Sequence, residues 1–181
     1  PAYSATTEDI TSLFAGVYTV TITDAAGCTA TAYYNVGEPG QFQIAAQLSN
    51  TSGGYNVSCA AAMDGSIDAS VSGGSGAYTY FWSGPDGFTS INLDLTGLAA
   101  GEYHLTVHDA NGCNAQASFT LAAPAPLQIG LMATAQPSCN GGEDGSIHAV
   151  ISGGTAPYLA SWSSPTGPLG IGTDLSGVGA G

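Results

Sequence analysis

The feature of this sequence that most constrains its fold is an internal repeat. Residues 98–113, LAAGEYHLTVHDANGC, keep the skeleton of residues 13–28, LFAGVYTVTITDAAGC, with the shared Gly, Tyr, Asp and Cys residues 85 positions apart. A second stretch, residues 58–82, recurs as residues 138–162 with an offset of 80. A fixed period is typical of chains that copy one structural unit several times. We therefore expect an array of similar units rather than one large domain.

The period divides the chain into three segments. Residues 1–40 are expected to be the C-terminal part of a first unit, residues 41–126 a complete unit, and residues 127–181 the N-terminal part of a third. Pro39 and the proline-rich stretch 122–126 mark the two boundaries as short, fairly stiff linkers.

Alternation of apolar and polar residues predicts short β-strands. Tyr103, Leu105 and Val107, for example, alternate with polar residues, as in a strand with one buried face. The strands expected in the complete unit are 42–48, 65–72, 77–83, a weaker one near 89–95, 102–108 and 114–121. Turn residues at this spacing, without helical periodicity, predict an all-β fold of tandem immunoglobulin-like antiparallel β-sandwich repeats.

Four aromatic residues are expected in the sandwich cores. Trp82 and its counterpart Trp162 lie on the third strand of their units, whereas Tyr18 and its counterpart Tyr103 follow a glycine at the start of the penultimate strand. In immunoglobulin-like sandwiches, a Trp and a Tyr at such places pack in the core and tie down a corner loop.

The composition excludes two classes of partner. The chain has no lysine or arginine and 13 acidic residues. Binding of nucleic acid and attraction to anionic lipids both need cationic side chains, so neither is expected. No apolar run approaches the roughly 18 residues of a membrane helix, so no membrane insertion is expected in this segment. Because residues 166–181 align with residues 1–16, we expect the chain to be a segment of a longer array.

Cysteines recur at two fixed places in the unit. Cys59 and Cys139 precede the second strand, and Cys28 and Cys113 close the DxxGC turn. Recurrent cysteines in an exported chain indicate disulfides. A bond needs Cα atoms within about 7 Å, and the two places lie at opposite ends of an ordinary sandwich. Pairing within a unit, pairing between neighbouring units and free thiols all stay open.

Acidic residues in turns are candidate calcium ligands. These residues are Asp24, Asp64, Asp109, Glu143 and Asp144. Calcium takes six to eight oxygen ligands, which turns meeting at a junction of units could supply, although backbone capping explains each residue alone. No other cofactor is expected. The absence of a Ser-His-Asp or Cys-His arrangement and of a phosphate-binding loop argues against an enzyme.

Two motifs together resemble the SprB-type repeat. They are SCAAAMDGSIDASVSGGSGAY at residues 58–78 and LAAGEYHLTVHDANGC at residues 98–113, with a second copy of the first motif reaching Trp162. Such repeats are known from very long surface proteins of Bacteroidota, including an adhesin that moves along the cell during gliding and is exported by the type IX system. The resemblance implies an extracellular stalk or filament at the cell surface, not a catalyst.

These observations lead to two hypotheses of function. The first is a structural and adhesive repeat protein whose partners are neighbouring repeats, other copies of itself and a surface polysaccharide. The alternative is an array of carbohydrate-binding modules in a secreted polysaccharide-active protein, because Tyr78, Tyr80 and Trp82 form an aromatic stripe that could stack on sugars. Alternation within this stripe favours core packing over sugar binding.

Overall fold

A computed structural model describes residues 9–179 of the chain. Within this range the backbone forms fourteen β-strands and two short 3₁₀ turns, Ser52–Gly54 and Pro85–Gly87. All strand pairs are antiparallel, so the predicted all-β fold is confirmed. The ends of the two outer predicted segments, residues 1–8 and 180–181, lie outside the described residues.

The first segment contributes one β-hairpin. Strand β1 (Gly16–Thr23) pairs antiparallel with β2 (Thr29–Val36) in an unbroken register. The connecting turn is Asp-Ala-Ala-Gly-Cys, in which Gly27 takes a φ of 84° that residues with a Cβ rarely adopt. Most side chains of both strands are exposed, because the described residues place no second sheet against the hairpin.

The middle segment folds into two packed sheets. Its strands are β3 (Gly40–Leu48), β4 (Gly65–Gly74), β5 (Thr79–Ser83), β6 (Thr89–Ser90), β7 (Leu95–Leu98), β8 (Gly101–His108) and β9 (Asn114–Leu121). One sheet has the order β3-β4-β7 and the other the order β6-β5-β8-β9. The first, second and fifth strands of the segment therefore face a sheet built on the third, sixth and seventh, which is consistent with a β-sandwich.

Both sheets contribute to one core in the middle unit. The buried residues of the core are Ile67, Ala69, Trp82, Leu95, Leu98, Tyr103, Leu105, Val107 and Leu121. They occupy alternate positions on their strands, as the period of two in the sequence requires. Complete burial of one such side chain, for example Leu105, stabilises the fold by about 1.5–3 kcal/mol.

The predicted strand at 89–95 is wrong. In the structure this stretch contains β6, which pairs with β5, and ends at the first residue of β7, which belongs to the other sheet and pairs with β4. The backbone between them crosses from one sheet to the other, and the carbonyl of Asn92 in this crossing accepts a hydrogen bond from Trp82 Nε1 at 2.9 Å. Side-chain alternation does not reveal such a crossing, because it reports burial and not the sheet to which a strand belongs.

The third segment repeats the first five strands of the middle unit. Its strands are β10 (Gln128–Ala135), β11 (Gly145–Ser152), β12 (Ser161–Ser164), β13 (Gly167–Ile171) and β14 (Asp174–Val178). The sheets have the orders β10-β11-β14 and β12-β13, which correspond to β3-β4-β7 and β5-β6. Among the described residues of this segment, no strands correspond to β8 and β9.

Candidate functional site at the unit ends

The DxxGC turn between β8 and β9 is organised by one carboxylate. Oδ1 of Asp109 accepts hydrogen bonds from the backbone N–H groups of Asn111 and Cys113, both at 2.9 Å. Oδ2 accepts from Ser75 in the β4–β5 turn, from the backbone N–H at 3.0 Å and from Oγ at 3.1 Å. Asp109 therefore caps its own turn and also fastens it to the neighbouring turn.

These contacts determine the acidity of Asp109, a residue that is 7% exposed. Burial alone raises the pKa of the carboxyl, but the hydrogen bonds from Ser75, Cys113 and Asn111 outweigh burial and lower the pKa below its usual value of 3.8. The carboxylate is therefore held in its charged form at neutral pH.

The β1–β2 hairpin contains the same turn, but the described residues place no equivalent of the β4–β5 turn beside it. Oδ1 of Asp24 accepts from the backbone N–H groups of Ala26 at 2.9 Å and Cys28 at 2.8 Å, as Asp109 does in its own turn. Oδ2 of Asp24 accepts no hydrogen bond from the described residues, so the half of the carboxylate that binds Ser75 in the middle unit is unused in the hairpin.

A second pair of aspartates caps the loops at the opposite end of the units. Asp64 accepts a hydrogen bond from the backbone of Ser58 at 3.0 Å, and Asp144 accepts the equivalent bond from Ser138 at 2.8 Å. In both cases hydrogen bonds from the serine side chain and backbone lower the pKa of the carboxyl. Glu143, which is exposed, lies beside Asp144 in the sequence.

The structure does not gather the calcium candidates into one cluster. Within residues 9–179, no group of three or more His, Cys, Asp or Glu side chains is placed to hold a metal ion. In the middle unit Asp64 and Asp109 lie at opposite ends of the sandwich, each occupied with its own loop. Calcium binding at a junction stays a prediction, which a calcium titration followed by the melting temperature would test.

All four cysteines are free and exposed. In the middle unit Cys59 lies in the β3–β4 loop, where the N–H of Val57 donates to the carbonyl of Ala122, just after β9. Cys113 precedes β9 at the other end. A strand of eight residues spans about 26 Å, which is far beyond the reach of a disulfide. The fold thus excludes a bond between Cys59 and Cys113 of one unit, and pairing between units stays a prediction.

The two tyrosines and two tryptophans expected in the cores make equivalent hydrogen bonds but are buried to different extents. Trp82 is fully buried and Tyr103 is 2% exposed, whereas Tyr18 and Trp162 are half-buried. Each tyrosine donates its hydroxyl to the carbonyl four residues earlier, at 2.9 Å in the hairpin and 3.0 Å in the middle unit. Each tryptophan donates Nε1 to the carbonyl ten residues later. The local geometry is therefore the same, and only the covering layer differs.

Sequence reasoning missed the polar residues that join one element to another. The sequence analysis assigns no role to Ser75. The signal that could have found it is the hydroxyl that its counterpart Thr155 also carries, 80 positions later. His148 on β11 also joins two strands, since its Nδ1 lies 2.7 Å from Oδ1 of Asp174 on β14. This contact is the largest cause of the lowered pKa of Asp174.

Together the strands and their repeated turns define the chain as an all-β repeat protein with antiparallel sheets. A model of the SprB repeat family matches residues 55–87 and 132–167, at equivalent places in the middle and third segments. The SprB-type resemblance is therefore confirmed at these two places. A comparison with curated proteins found no significant match.

The SprB repeat is a structural repeat associated with cell-surface proteins and is not an enzyme family. Its presence points to the surface adhesin-type repeat proteins of Bacteroidota. None of the helical turns in residues 9–179 has the length and apolar character of a membrane-crossing helix.

Proposed function

We propose that the chain is an extracellular structural and adhesive repeat protein that forms part of a stalk or filament at a bacterial cell surface. The observation that carries the proposal is the duplication of one structural device at fixed offsets. Asp24 and Asp109 cap the same turn, and Asp64 and Asp144 cap the same loop. A scaffold repeats its devices in every unit, whereas a catalytic centre is seldom copied with each module.

The absence of lysine and arginine suits this role. The formal net charge of the chain is −13 at pH 7, and like-charged surfaces repel one another and resist non-specific association. An array of such units would stay extended in dilute salt. The chain also offers no cleavage site for trypsin-like proteases, which favours exposure outside a cell.

The shape of the particle tests the stalk role. Strands of eight residues with their turns give a unit roughly 30–40 Å long, so units joined by short linkers should form a rod. We expect small-angle X-ray scattering from the chain to show a cross-section of one sandwich and a longer axial dimension. A compact, nearly spherical scattering profile would contradict the proposal.

We also propose that the parent protein reaches the surface through a type IX export system and contributes to gliding-type adhesion. The support is the SprB repeat alone. Antibodies against the chain should label intact cells, and protease treatment of intact cells should remove the label. Labelling seen only after cell lysis would contradict surface exposure, and normal spreading of a deletion strain would contradict the gliding role.

The alternative, a carbohydrate-binding module, rests on a few exposed rings. Phe81 and Tyr33 are 50% and 73% exposed, whereas Tyr78 and Tyr80 pack against the core and Phe88 packs edge-on against Tyr103. A glycan array probed with the chain distinguishes the two functions. Binding that Phe81→Ala abolishes would favour the module, and the absence of glycan binding would favour the stalk.

A further inference from the structure

Five residues distinguish the β3–β4 loop of the middle unit from the β10–β11 loop of the third segment. The offset between the two copies is 85 along β3 and 80 along β4, so residues 50–54 have no counterpart. The strands pair equally well without them, because Leu48 lies opposite Ile67 and their counterparts Ala133 and Ile147 lie opposite each other in the same way. The insertion therefore serves something other than the pairing of these two strands.

The insertion has a defined shape. The backbone N–H and the hydroxyl of Thr51 both donate to the carbonyl of Tyr55, at 2.7 and 2.9 Å, and this closes the loop. The half-buried ring of Tyr55 folds back over the tip, since a Cβ built on Gly53 would lie 3.3 Å from the ring. The tip is therefore held in place by contacts inside the loop.

The residues that follow the insertion hold the start of the linker to the third segment. The N–H groups of Asn56 and Val57 donate to the carbonyl of Ala122 at 2.9 and 3.3 Å, and the N–H of Ala122 donates to Oδ1 of Asn56 at 2.8 Å. Asn56 is itself fixed, because its Nδ2 donates to the carbonyl of Ser49 at 2.7 Å. Pro124, two residues further along the linker, is buried. The first part of the linker thus belongs structurally to the middle unit.

The tip of the insertion also meets the body of the third segment. A Cβ built on Gly53 would lie 3.2 Å from Cγ2 of Thr155, in the turn between β11 and β12. One loop of the middle unit therefore contacts both the linker that leads into the third segment and a turn of that segment. Two points of contact on one closed loop restrict the angle between the units more than a short linker alone can.

We propose that residues 50–57, the junction loop, form an interaction surface for the repeat that follows in the chain and join the middle unit and the third segment into one body. The corresponding loop of the third segment is not built for this task. It lacks the insertion, and Pro137 stands at the place of Val57 and has no N–H to donate. The stiffness of the array is thus set repeat by repeat, by the length and sequence of this loop.

This inference rests on the proposed stalk role for its biological purpose, but its test does not. Backbone amide relaxation of the 181-residue chain, measured by NMR, should fit one rotational diffusion tensor for the middle unit and the third segment together. Separate tensors for the two would overturn the proposal and would leave the surface location, which labelling of intact cells tests, unaffected.

Deletion of residues 50–54 gives the sharpest test, because the third segment shows that the two strands pair without them. The variant should keep both sheets of the middle unit, which amide chemical shifts check. The third segment should then reorient separately, with a shorter rotational correlation time than in the wild type. A variant that keeps its sheets and still tumbles as one body would overturn the role of the junction loop.

Two glycines in the insertion supply a matched pair of substitutions. Gly53 and Gly54 have φ values of 81° and 80°, so asparagine, which tolerates positive φ better than most residues, carries the same backbone cost at both. A side chain at Gly53 would push against Thr155, whereas a Cβ at Gly54 meets open space. Gly53→Asn should therefore separate the tumbling of the two units, and Gly54→Asn should leave the common tensor unchanged. Equal effects of the two variants would overturn the contact between the insertion and the β11–β12 turn.

Discussion

At the scale of single residues, one aspartate turn occurs in two states. Asp109 accepts four hydrogen bonds, two within its turn and two from Ser75, whereas among residues 9–179 Asp24 accepts only the two within its turn. The sequence predicts the turn in both places because its residues are local. It does not predict the bond to Ser75, since that contact depends on the packing of two turns that are 34 residues apart.

The aspartate caps predict an acid-sensitive fold. The pKa values of Asp64, Asp109 and Asp144 lie below 3.8 in the folded chain, so the unfolded chain binds protons more readily. Their contribution to stability is complete above the unfolded pKa and is lost as the pH falls through the folded pKa. The melting temperature followed by circular dichroism should therefore decrease as the pH falls below about 4.

Asp109→Asn serves as the test of this explanation, with Asp24→Asn as its control. Asparagine keeps a side-chain oxygen but carries no charge that acid could neutralise. Asp109→Asn should therefore be less stable than the wild type at neutral pH and should lose less stability in acid. Asp24→Asn should change the neutral melting temperature less, because Asp24 makes fewer hydrogen bonds. Identical acid profiles for the wild type and Asp109→Asn would contradict the explanation.

At the scale of secondary structure, equivalent strands differ only in what covers them. Val107 on β8 is completely buried, whereas Val20 on β1 is 55% exposed. Removing two methyl groups from a packed core costs about 2 kcal/mol, and their removal from an exposed strand costs less than about 0.5 kcal/mol. Urea unfolding of monomeric Val107→Ala and Val20→Ala chains should show this difference, and equal losses would mean that the hairpin is already covered.

Two glycines with positive φ allow a second prediction about the strands and turns of the middle unit. Gly73 and Gly87 have φ values of 83° and 78°, so alanine at either position costs about 1 kcal/mol. A Cβ at Gly73 would also clash with the backbone carbonyl of Gln41 on the paired strand, whereas a Cβ at Gly87 meets open space. Gly73→Ala should therefore destabilise the middle unit by at least about 2 kcal/mol more than Gly87→Ala in urea unfolding. Similar losses would show that the β3–β4 contact can relax.

The strands were predictable to the extent that their signals are local. The bounds of β9 agree with the sequence prediction because a DxxGC turn and an alanine-rich alternation define both ends. The stretch at 89–95 was not predictable, since its backbone leaves one sheet and enters the other. The role of Ser75 depends on a contact between distant turns, and in sequence only the hydroxyl that it shares with Thr155, 80 positions later, distinguishes it from other polar turn residues.

At the scale of the whole molecule, the middle and third segments approach each other at the ends of their sandwiches. The β11–β12 turn approaches the β3–β4 loop of the middle unit, because a Cβ on Gly53 would lie 3.2 Å from Cγ2 of Thr155. Cys59, in the same β3–β4 loop, is the cysteine of the middle unit that lies at that end.

This position predicts which cysteines do not pair when the chain is oxidised. Cys59 should not bond to Cys113 of its own unit, because β9 separates the two ends of the sandwich by about 26 Å. Oxidised glutathione would take up the two electrons and two protons released by each pair of thiols that does react. Peptide mapping of monomeric chains after oxidation should therefore recover no peptide that links Cys59 to Cys113, and recovery of that peptide would contradict the fold of the middle unit.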